Sequence, residues 1–267
     1  MMPRIHFAHL PTKIEALPRL SAALEGPRLL VKRDDQTGLA FGGNKTRKLE
    51  YLLAEAREQE ADLLITAGAV QSNHCRQTVA AASRFGFDCI LVLFGDPPEP
   101  PDGNHLLHYL LGAEVVFTER ENVDNKLKEV FQNSMSEGRK PYLIPYGGSN
   151  PTGAMGYVNA MLELAQQDPT PDWIVFPSSS GGTQAGMLVG GRISGYSGKI
   201  LGISVDEPAE VLKVTVSKLA TETAAAIGKD WFFSVEDVLV NDNYTGEGYA
   251  VMGEPEIEAI RLFAQKE

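Results

Sequence analysis

A lysine beside a glycine pair is the first candidate for chemistry in this 267-residue chain. Lys45 ends a Gly-Gly-Asn-Lys sequence at 42–45 and stands directly before a helical pattern at 46–60. The positive end of a helix dipole disfavours an ammonium group, and partial burial adds to that effect. Together they lower the pKa of a lysine and favour the neutral amine that forms a Schiff base. The alternative interpretation is a glycine-rich turn whose lysine points to water.

The second candidate is the sequence Gln-Ser-Asn-His at 71–74, which lies between a predicted strand and a predicted helix. Ligands bind at the carboxyl ends of strands in open α/β sheets. Backbone N–H groups there, with the side chains of Ser72 and Asn73, are suited to a substrate carboxylate. Either residue is equally suited to capping the helix, and the two roles do not exclude each other. His74, taken alone, is interpreted as a structural histidine.

The third candidate is the sequence Ser-Ser-Ser-Gly-Gly-Thr at 178–183, which follows a predicted strand and opens a helix. Glycines let the backbone approach a phosphate, and the helix start supplies donors and positive potential. It is not a nucleotide P-loop, because Met187 stands where that loop requires lysine, and the dinucleotide Gly-x-Gly-x-x-Gly fingerprint does not occur. A phosphate cup without a nucleotide signature indicates a cofactor with one phosphate. A plain tight turn is the alternative.

An amine suited to imine formation, together with a cup for one phosphate, is what pyridoxal 5′-phosphate requires. In this order, the motifs at 42–50, 71–74 and 180–183 resemble the D-cysteine desulfhydrase / 1-aminocyclopropane-1-carboxylate (ACC) deaminase family. That family belongs to the tryptophan-synthase-β-like, fold type II, pyridoxal-phosphate enzymes. The resemblance extends from the Lys-Arg-Asp-Asp segment at 32–35 to Tyr249. It implies pyridoxal 5′-phosphate as the cofactor, a small amino acid as the substrate and a homodimer as the assembly.

The resemblance also implies roles for individual residues. Lys45 would be the Schiff-base lysine, and Asn73 would bond to the phenolic oxygen of the cofactor. Ser72 would hold the substrate carboxylate and relay a proton, and Tyr249 matches an active-site tyrosine of the family. Tyr244, close by, is interpreted as a core or loop residue. Further cofactor contacts are expected from Asn44, Ser180, Gly181, Gly182 and Thr183, and a further substrate contact from His74.

The substrate that this resemblance favours is D-cysteine. Sulfide is the easier leaving group, whereas ACC requires opening of a cyclopropane ring by a nucleophile or a base. His74 follows Ser-Asn here, as in the desulfhydrase branch, where the deaminase branch tends to carry glutamine. Lys45 or Tyr249 would act as the base, with a pKa near the working pH. ACC is the alternative substrate, and cysteate is a third.

The C-terminus bears on whether the chain is active. The family resemblance implies a further segment that carries a second active-site tyrosine and the partner of the pyridine nitrogen. A helix is predicted to begin at Glu254 and Pro255, and the sequence ends soon after it. We therefore expect a C-terminally incomplete large domain. A truncated, inactive cofactor-binding remnant is the alternative to an active enzyme.

Composition limits the other functions. The formal net charge is −11, which argues against nucleic acid or an anionic membrane as a partner. Lys45, Arg47 and Lys48 form a local basic exception. The two cysteines are too few for a disulfide framework and are expected to be reduced thiols of a cytoplasmic protein. The sequence indicates neither a signal peptide nor an apolar stretch of about 20 residues that could span a membrane.

A metal site is not expected. The five histidines show no spacing with carboxylates that is typical of one. His105 and His108 are three residues apart on a predicted helix, and this pair is interpreted as part of a solvated helix face.

The elements that must position these motifs alternate between short β-branched runs and amphipathic helices, which predicts parallel sheets covered by helices. The resemblance implies two open, mostly parallel sheets flanked by helices, the fold of the type II enzymes. Proline-rich segments at 96–102 and 145–151 are predicted to break the order. We expect a small α/β domain at 48–155 inserted into a large domain of 1–47 and 156–267. The predicted strands are 29–33, 63–67, 89–94, 114–117, 142–144, 173–176 and 200–205.

Overall fold

The computed structural model describes residues 2–248 and 251–267, and it confirms the α/β class and the two open parallel sheets. The strands are β1 Ile14–Ala16, β2 Leu30–Lys32, β3 Leu63–Ala69, β4 Asp88–Phe94, β5 Glu114–Phe117, β6 Pro141–Leu143, β7 Trp173–Ser178, β8 Lys199–Ser204 and β9 Leu239–Asn241. The helices are α1 Pro18–Ala23, α2 Lys45–Glu58, α3 Asn73–Phe85, α4 Gly103–Leu110, α5 Val123–Ser136, α6 Pro151–Leu164, α7 Gly182–Ser194, α8 Ala209–Ala226 and α9 Glu254–Lys266. The last begins at the predicted residue.

The first sheet has the order β5-β4-β3-β6, and all its strands are parallel. Its central strand β3 is buried along almost its whole length, which explains its nearly continuous apolar sequence. Alternate side chains enter different cores. Leu64 packs with α2 and α3 on one face, whereas Leu63 and Ile65 pack with α5 on the other.

The second sheet has the order β7-β8-β9 and is also parallel. Helices α6, α7 and α8 form the apolar core beside it, with Val158, Val189 and Val216 at its centre. Helix α6 also packs against α2. A Cβ atom added to Gly156 would lie 2.5 Å from the Arg47 carbonyl oxygen, so this contact between the two helices requires glycine. Helices α2 and α6 thereby connect the two sheets.

One predicted strand lies outside both parallel sheets. The segment predicted at 29–33 forms β2, which pairs antiparallel with β1, and Leu30 lies opposite Ala16. The sequence pattern did not indicate β1 or β9, because three residues are too few to show an alternation.

The sequence predicted a basic cluster of Lys45, Arg47 and Lys48, and this expectation is wrong for Arg47. Arg47 is buried, and its guanidinium pairs with Asp34 at 2.8 Å and with Glu163 at 2.9 Å. Its charge is therefore neutralised within a polar network that joins the turn after β2 to α2 and α6. Of the three cluster members, Lys45 and Lys48 remain as candidates for the basic part of a site.

The histidine pair on α4 is also different from the expectation. His105 is 2% exposed and His108 is not exposed at all, so the interpretation as a solvated helix face is wrong. His105 lies edge-on to Tyr109 and Phe117, whose rings cover it. In the described residues, no three His, Cys, Asp or Glu side chains are grouped so as to hold a metal ion.

None of the helices at 2–248 and 251–267 combines the length and the apolar character that crossing a membrane requires. The predicted domain boundaries, at 47/48 and 155/156, fall inside α2 and α6. They remain a prediction.

Candidate active site

A cavity of about 1280 Å³ brings most of the candidate residues together. Its wall includes the starts of α2 and α3, and the loop that joins β7 to α7. Gly182 is not part of this wall, and Tyr249 lies outside the described residues. Tyr244 is in a loop, is 65% exposed and contributes to the rim. The candidates that line the cavity are Asn44, Lys45, Ser72, Asn73, His74, Ser180, Gly181 and Thr183.

Lys45 is the first residue of α2, as its position after the glycine pair suggests. Its Nζ atom lies 3.3 Å from the side-chain oxygen of Asn44. The surrounding protein desolvates the ammonium group and lowers the pKa of Lys45 to about 8. The structure thus lowers the pKa of Lys45, as the sequence predicted, and burial is the largest cause. A substantial fraction of this amine is neutral, and hence nucleophilic, at physiological pH.

Ser72 is the N-cap of α3, and its hydroxyl oxygen accepts a hydrogen bond from the backbone N–H of Cys75 at 3.2 Å. Ser72 also lines the cavity. The capping and binding interpretations therefore apply to the same side chain. Because the oxygen accepts in the cap, the hydroxyl proton is left to donate to a ligand. The N–H groups of the first turn of α3 point the same way, toward the carboxyl end of β3.

Asn73 follows the cap and exposes its side chain to the cavity. Its Oδ1 atom accepts hydrogen bonds from Nη1 of Arg76 at 2.8 Å and from Nδ2 of Asn104 at 3.0 Å. Two donors on one atom identify it as the amide oxygen. The NH₂ end of Asn73 is thus the end that is able to donate to a ligand.

His74 is buried, and its Nε2 atom lies 2.9 Å from the Thr66 hydroxyl. That hydroxyl donates its proton to the Ile144 carbonyl at 2.8 Å, so it accepts from His74 and fixes the Nε2–H tautomer. Burial, and then the charges of Lys45 and Lys48, lower the pKa of His74 well below its usual range. The ring is therefore a neutral group anchored to β3, and only its Nδ1 side is left for a substrate.

The glycine-rich loop at 178–183 also contributes to the wall of the cavity. Gly181 has a φ angle of +78°, a left-handed conformation that favours glycine, and it directly precedes α7. The Gly182 N–H donates to the Ser149 hydroxyl at 3.1 Å. The Ser149 and Ser180 hydroxyls are 2.8 Å apart. The loop is thus fixed to the segment after β6, and of its two glycines only Gly181 lines the cavity.

Lys48 lies beneath this loop. Its Nζ atom donates to the Gly147 carbonyl at 3.0 Å and to the Ser149 hydroxyl at 3.2 Å. A Cβ atom added to Gly182 would lie 2.5 Å from the Ser149 hydroxyl oxygen and 2.9 Å from the Lys48 amine. Only glycine lets the helix start come this close to the Lys48 amine, whose pKa burial lowers well below its usual range. The result is a concave set of backbone and hydroxyl donors above a buried amine, which suits an anion with several oxygens.

Sequence reasoning missed four residues of this site. Ser149 lies in the segment at 145–151, which the sequence indicated only as a break, although its Gly-Gly-Ser-Asn run was a signal. Lys48 was noted for its charge alone. Arg76 lies three residues after Asn73 on α3, and this helical spacing was a signal for the contact. Asn104 carried no pattern, because it reaches Asn73 from α4.

These residues fit the cofactor that the sequence resemblance implies. Lys45 supplies an amine of lowered pKa for a covalent bond, and the NH₂ group of Asn73 supplies a donor for a phenolic oxygen. The loop at 180–183, with Lys48 beneath it, supplies a phosphate cup. All three groups face one cavity.

Comparison with known proteins agrees with this chemistry. The family described as "Pyridoxal-phosphate dependent enzyme" matches residues 5–267. D-cysteine desulfhydrase of Salmonella typhimurium is 38% identical to this chain, and the similarity covers 99% of the chain and 82% of that protein.

Solved structures show the same relationship. The crystal structure of an ACC deaminase homologue superposes with a TM-score of 0.91 at 36% identity, over 99% of this chain and 81% of that one. The maize serine racemase structure superposes with a TM-score of 0.60 at 18% identity, over 90% of this chain and 70% of its own. The second similarity shows the fold alone.

Proposed function

The chain belongs to the pyridoxal-phosphate dependent enzymes, and we propose that it is a lyase that converts D-cysteine and water to pyruvate, hydrogen sulfide and ammonia. The observation that carries this proposal is the Lys45 amine, with its lowered pKa, in a cavity that the start of α3 and the loop at 180–183 also line. The similarity to D-cysteine desulfhydrase over nearly the whole chain supports the choice of substrate.

Pyridoxal 5′-phosphate, when bound, supplies an electron sink that withdraws electrons from Cα of an amino-acid substrate. In the proposed site, Lys45 holds it covalently and Asn73 donates to its phenolic oxygen. Asn44, Ser180, Gly181, Gly182 and Thr183 form the remaining cofactor contacts. Gly182 acts indirectly, since its N–H holds the Ser149 hydroxyl against the loop. Lys48 supports that hydroxyl from below through a hydrogen bond from its Nζ atom.

The substrate would be oriented by its carboxylate. The Ser72 hydroxyl donates to one carboxylate oxygen, and the first-turn N–H groups of α3 donate to the other. His74 lies behind this position and keeps the loop against β3 through Thr66. Asn73 is shared between substrate and cofactor. This geometry presents the α-hydrogen to Lys45.

Lys45 is the proposed base, because its Nζ atom is free to take the α-proton once the substrate amine has replaced it. A pKa of about 8 suits that role near neutral pH. Loss of the β-thiolate follows, and water completes the conversion to pyruvate and ammonia. Tyr249 is proposed as a second base on the strength of the sequence resemblance alone.

The test combines an assay with a spectrum. Purified protein loaded with pyridoxal 5′-phosphate should release sulfide and pyruvate from D-cysteine in equal amounts. Lys45→Ala should lose both the visible absorption band of the bound cofactor and the release of sulfide. Lys140→Ala is the matched control, because Lys140 is an exposed lysine that pairs with Glu60 at the surface. A wild-type protein with no band after loading would contradict the proposal.

ACC deamination is the second candidate, and the close superposition on an ACC deaminase homologue favours it. Ser72 and Asn73 do not discriminate the two substrates, since both carry a carboxylate and an amine. Release of 2-oxobutanoate from ACC, without release of sulfide from D-cysteine, would replace the first candidate by the second.

Three further features are proposed with this function. We propose a homodimer, on the sequence resemblance, and light scattering of the purified protein tests it. We propose a cytoplasmic location because Cys75 and Cys89 are buried free thiols, and cell fractionation tests it. We propose that residues 48–155 form the small domain, since the four-stranded sheet lies entirely within them.

A further inference from the structure

We propose that Arg76 is a positioning residue for this reaction. With Asn104 it holds the Asn73 amide with its NH₂ group toward the cofactor's phenolic oxygen, and its charge stabilises the anionic form of that oxygen. This inference rests on the proposed function, because it concerns the same cofactor contact.

The first support is the geometry of three side chains. Nη1 of Arg76 donates to Asn73 Oδ1 at 2.8 Å and to Asn104 Oδ1 at 3.0 Å. Nδ2 of Asn104 donates to Asn73 Oδ1 at 3.0 Å. Rotation of the Asn73 amide by 180° would place its NH₂ group against two donors. The network therefore permits only one orientation of the Asn73 amide. In it the NH₂ group is free to donate to a phenolic oxygen.

The second support is what else the network holds. Nη2 of Arg76 donates to the Gly42 carbonyl at 2.9 Å, in the loop that leads to Lys45. Asn104 donates through Nδ2 to the Gln71 carbonyl at 2.8 Å. Arg76 thus connects the loop before the reactive lysine with the loop that carries Ser72 and Asn73. A shift of either loop would change the position of the Lys45 amine relative to the Asn73 amide.

The third support is charge. Arg76 is 9% exposed, and within 2–248 and 251–267 no carboxylate lies at ion-pair distance from its guanidinium. Burial lowers the pKa of Arg76, yet a guanidinium stays protonated in proteins. A buried cation without a carboxylate is costly unless another anion lies near. A phenolate bonded to Asn73 is such an anion, and the amide between them transmits the polarisation.

Other charged groups also act on this region. Lys45 and Lys48 approach from α2, and the neutral ring of His74 lies on α3. His108 lies on α4, and the charge of Arg76 contributes to lowering its pKa. Arg76 differs from the two lysines because it contacts the Asn73 amide directly. Its removal should therefore change the phenolic oxygen more than the phosphate.

The experiment compares four variants of the full chain loaded with pyridoxal 5′-phosphate. Arg76→Gln removes the charge, Arg76→Lys keeps it, and Asn104→Ala removes the second donor. Arg84→Gln is the matched control, since Arg84 lies on the same helix with an exposed side chain. The readouts are the Kd of the cofactor, the pH midpoint of its visible absorption band, and the thermal unfolding midpoint.

Arg76→Gln is expected to raise the cofactor Kd about tenfold or more and to raise the pH midpoint by about one unit, because the anionic oxygen loses its cation. Arg76→Lys should restore at least half of the shift in pH midpoint. Asn104→Ala should raise Kd a few-fold without moving that midpoint. Arg84→Gln should match the wild-type protein in both quantities.

A folded Arg76→Gln protein with the Kd and pH midpoint of Arg84→Gln would overturn the inference while the proposed function stands. If Arg76→Gln does not fold, Asn104→Ala decides, and a wild-type Kd for that variant would overturn the inference. A wild-type protein without an absorption band would overturn the proposed function, and this inference with it.

Discussion

Lys48 and Ser149 meet beneath the glycine-rich loop, with Nζ of the lysine 3.2 Å from the hydroxyl oxygen of the serine. They come from α2 and from the segment before α6, about a hundred residues apart. The Ser149 hydroxyl also accepts the Gly182 N–H, so one oxygen joins three parts of the chain. The contact places an amine beneath the backbone donors of the loop, and burial lowers the pKa of this amine well below its usual range.

The first prediction concerns this lysine. Lys48→Met should raise the Kd for pyridoxal 5′-phosphate about tenfold, because the loop loses the hydrogen bonds of the buried Lys48 amine to the Gly147 carbonyl and the Ser149 hydroxyl, a loss of about 1.4 kcal/mol. Titration of the apoprotein, followed by the absorption of the bound cofactor, measures this change. Lys140→Met removes an exposed lysine and should leave Kd within about twofold. Equal Kd values for the two variants would show that Lys48 is structural only.

The second prediction follows from the pKa of Lys45. Only the neutral amine attacks the cofactor aldehyde, and the folded pKa is about 8 instead of the ordinary 10.5. The loading rate of the apoprotein should therefore rise with pH, reach half its maximum near 8 and level off above about 9. Stopped-flow absorption from about pH 6.5 to about pH 10.5 measures it, with a blocked free lysine as the reference amine. A rate that still rises steeply at the upper end of this range would contradict a lowered pKa.

The third prediction separates the two roles of Ser72. Ser72→Ala should raise KM for D-cysteine about tenfold, because one hydrogen bond to a carboxylate is lost, while cofactor Kd stays within about twofold. Loss of the cap should also lower the free energy of unfolding by about 1 kcal/mol. Ser134→Ala is the control, since Ser134 is a buried serine that donates to the Val130 carbonyl, outside the cavity. An unchanged KM would leave Ser72 with capping alone.

The fourth prediction concerns the network around Arg47. Glu163→Gln should lower the free energy of unfolding by about 3 kcal/mol, because Arg47 is buried and would lose half of its compensation. Chemical denaturation at neutral pH measures this. Glu129→Gln removes one member of an exposed pair with Lys126 and should cost less than about 1 kcal/mol.

The same carboxyl group gives a pH dependence. Desolvation alone would raise the pKa of Glu163, but Arg47 and then Lys32 outweigh it and lower the pKa from 4.5 to about 2 in the folded protein. Its contribution to stability is therefore fully present above about pH 4.5 and is lost as the pH falls toward 2. The wild-type protein should lose stability over this interval more steeply than Glu163→Gln. Parallel curves would contradict the assigned pKa.

The sequence determined a large part of the fold. Alternation of apolar strands with amphipathic helices predicted the α/β class, and β3 to β8 lie within a few residues of their predicted positions. These elements were predictable because burial on both faces of a parallel strand leaves a long apolar run. Strands β1 and β9 have three residues each, and their pairing depends on neighbours that are distant in the sequence.

The sequence also predicted which groups are candidates for the chemistry, since an amine after a glycine pair and a glycine-rich helix start are local patterns. Tertiary structure decided where their partners come from. Lys48 reaches Ser149, and Arg76 reaches Gly42, only because the packing of helices against two sheets brings separate loops to one cavity, whereas the contact of Arg76 with Asn73 is local to α3. The same packing buried His105 and His108 and paired Arg47 with Glu163. Burial and hydrogen bonding between segments far apart in the sequence set the environment of these side chains. The local periodicity of the sequence does not indicate either of them.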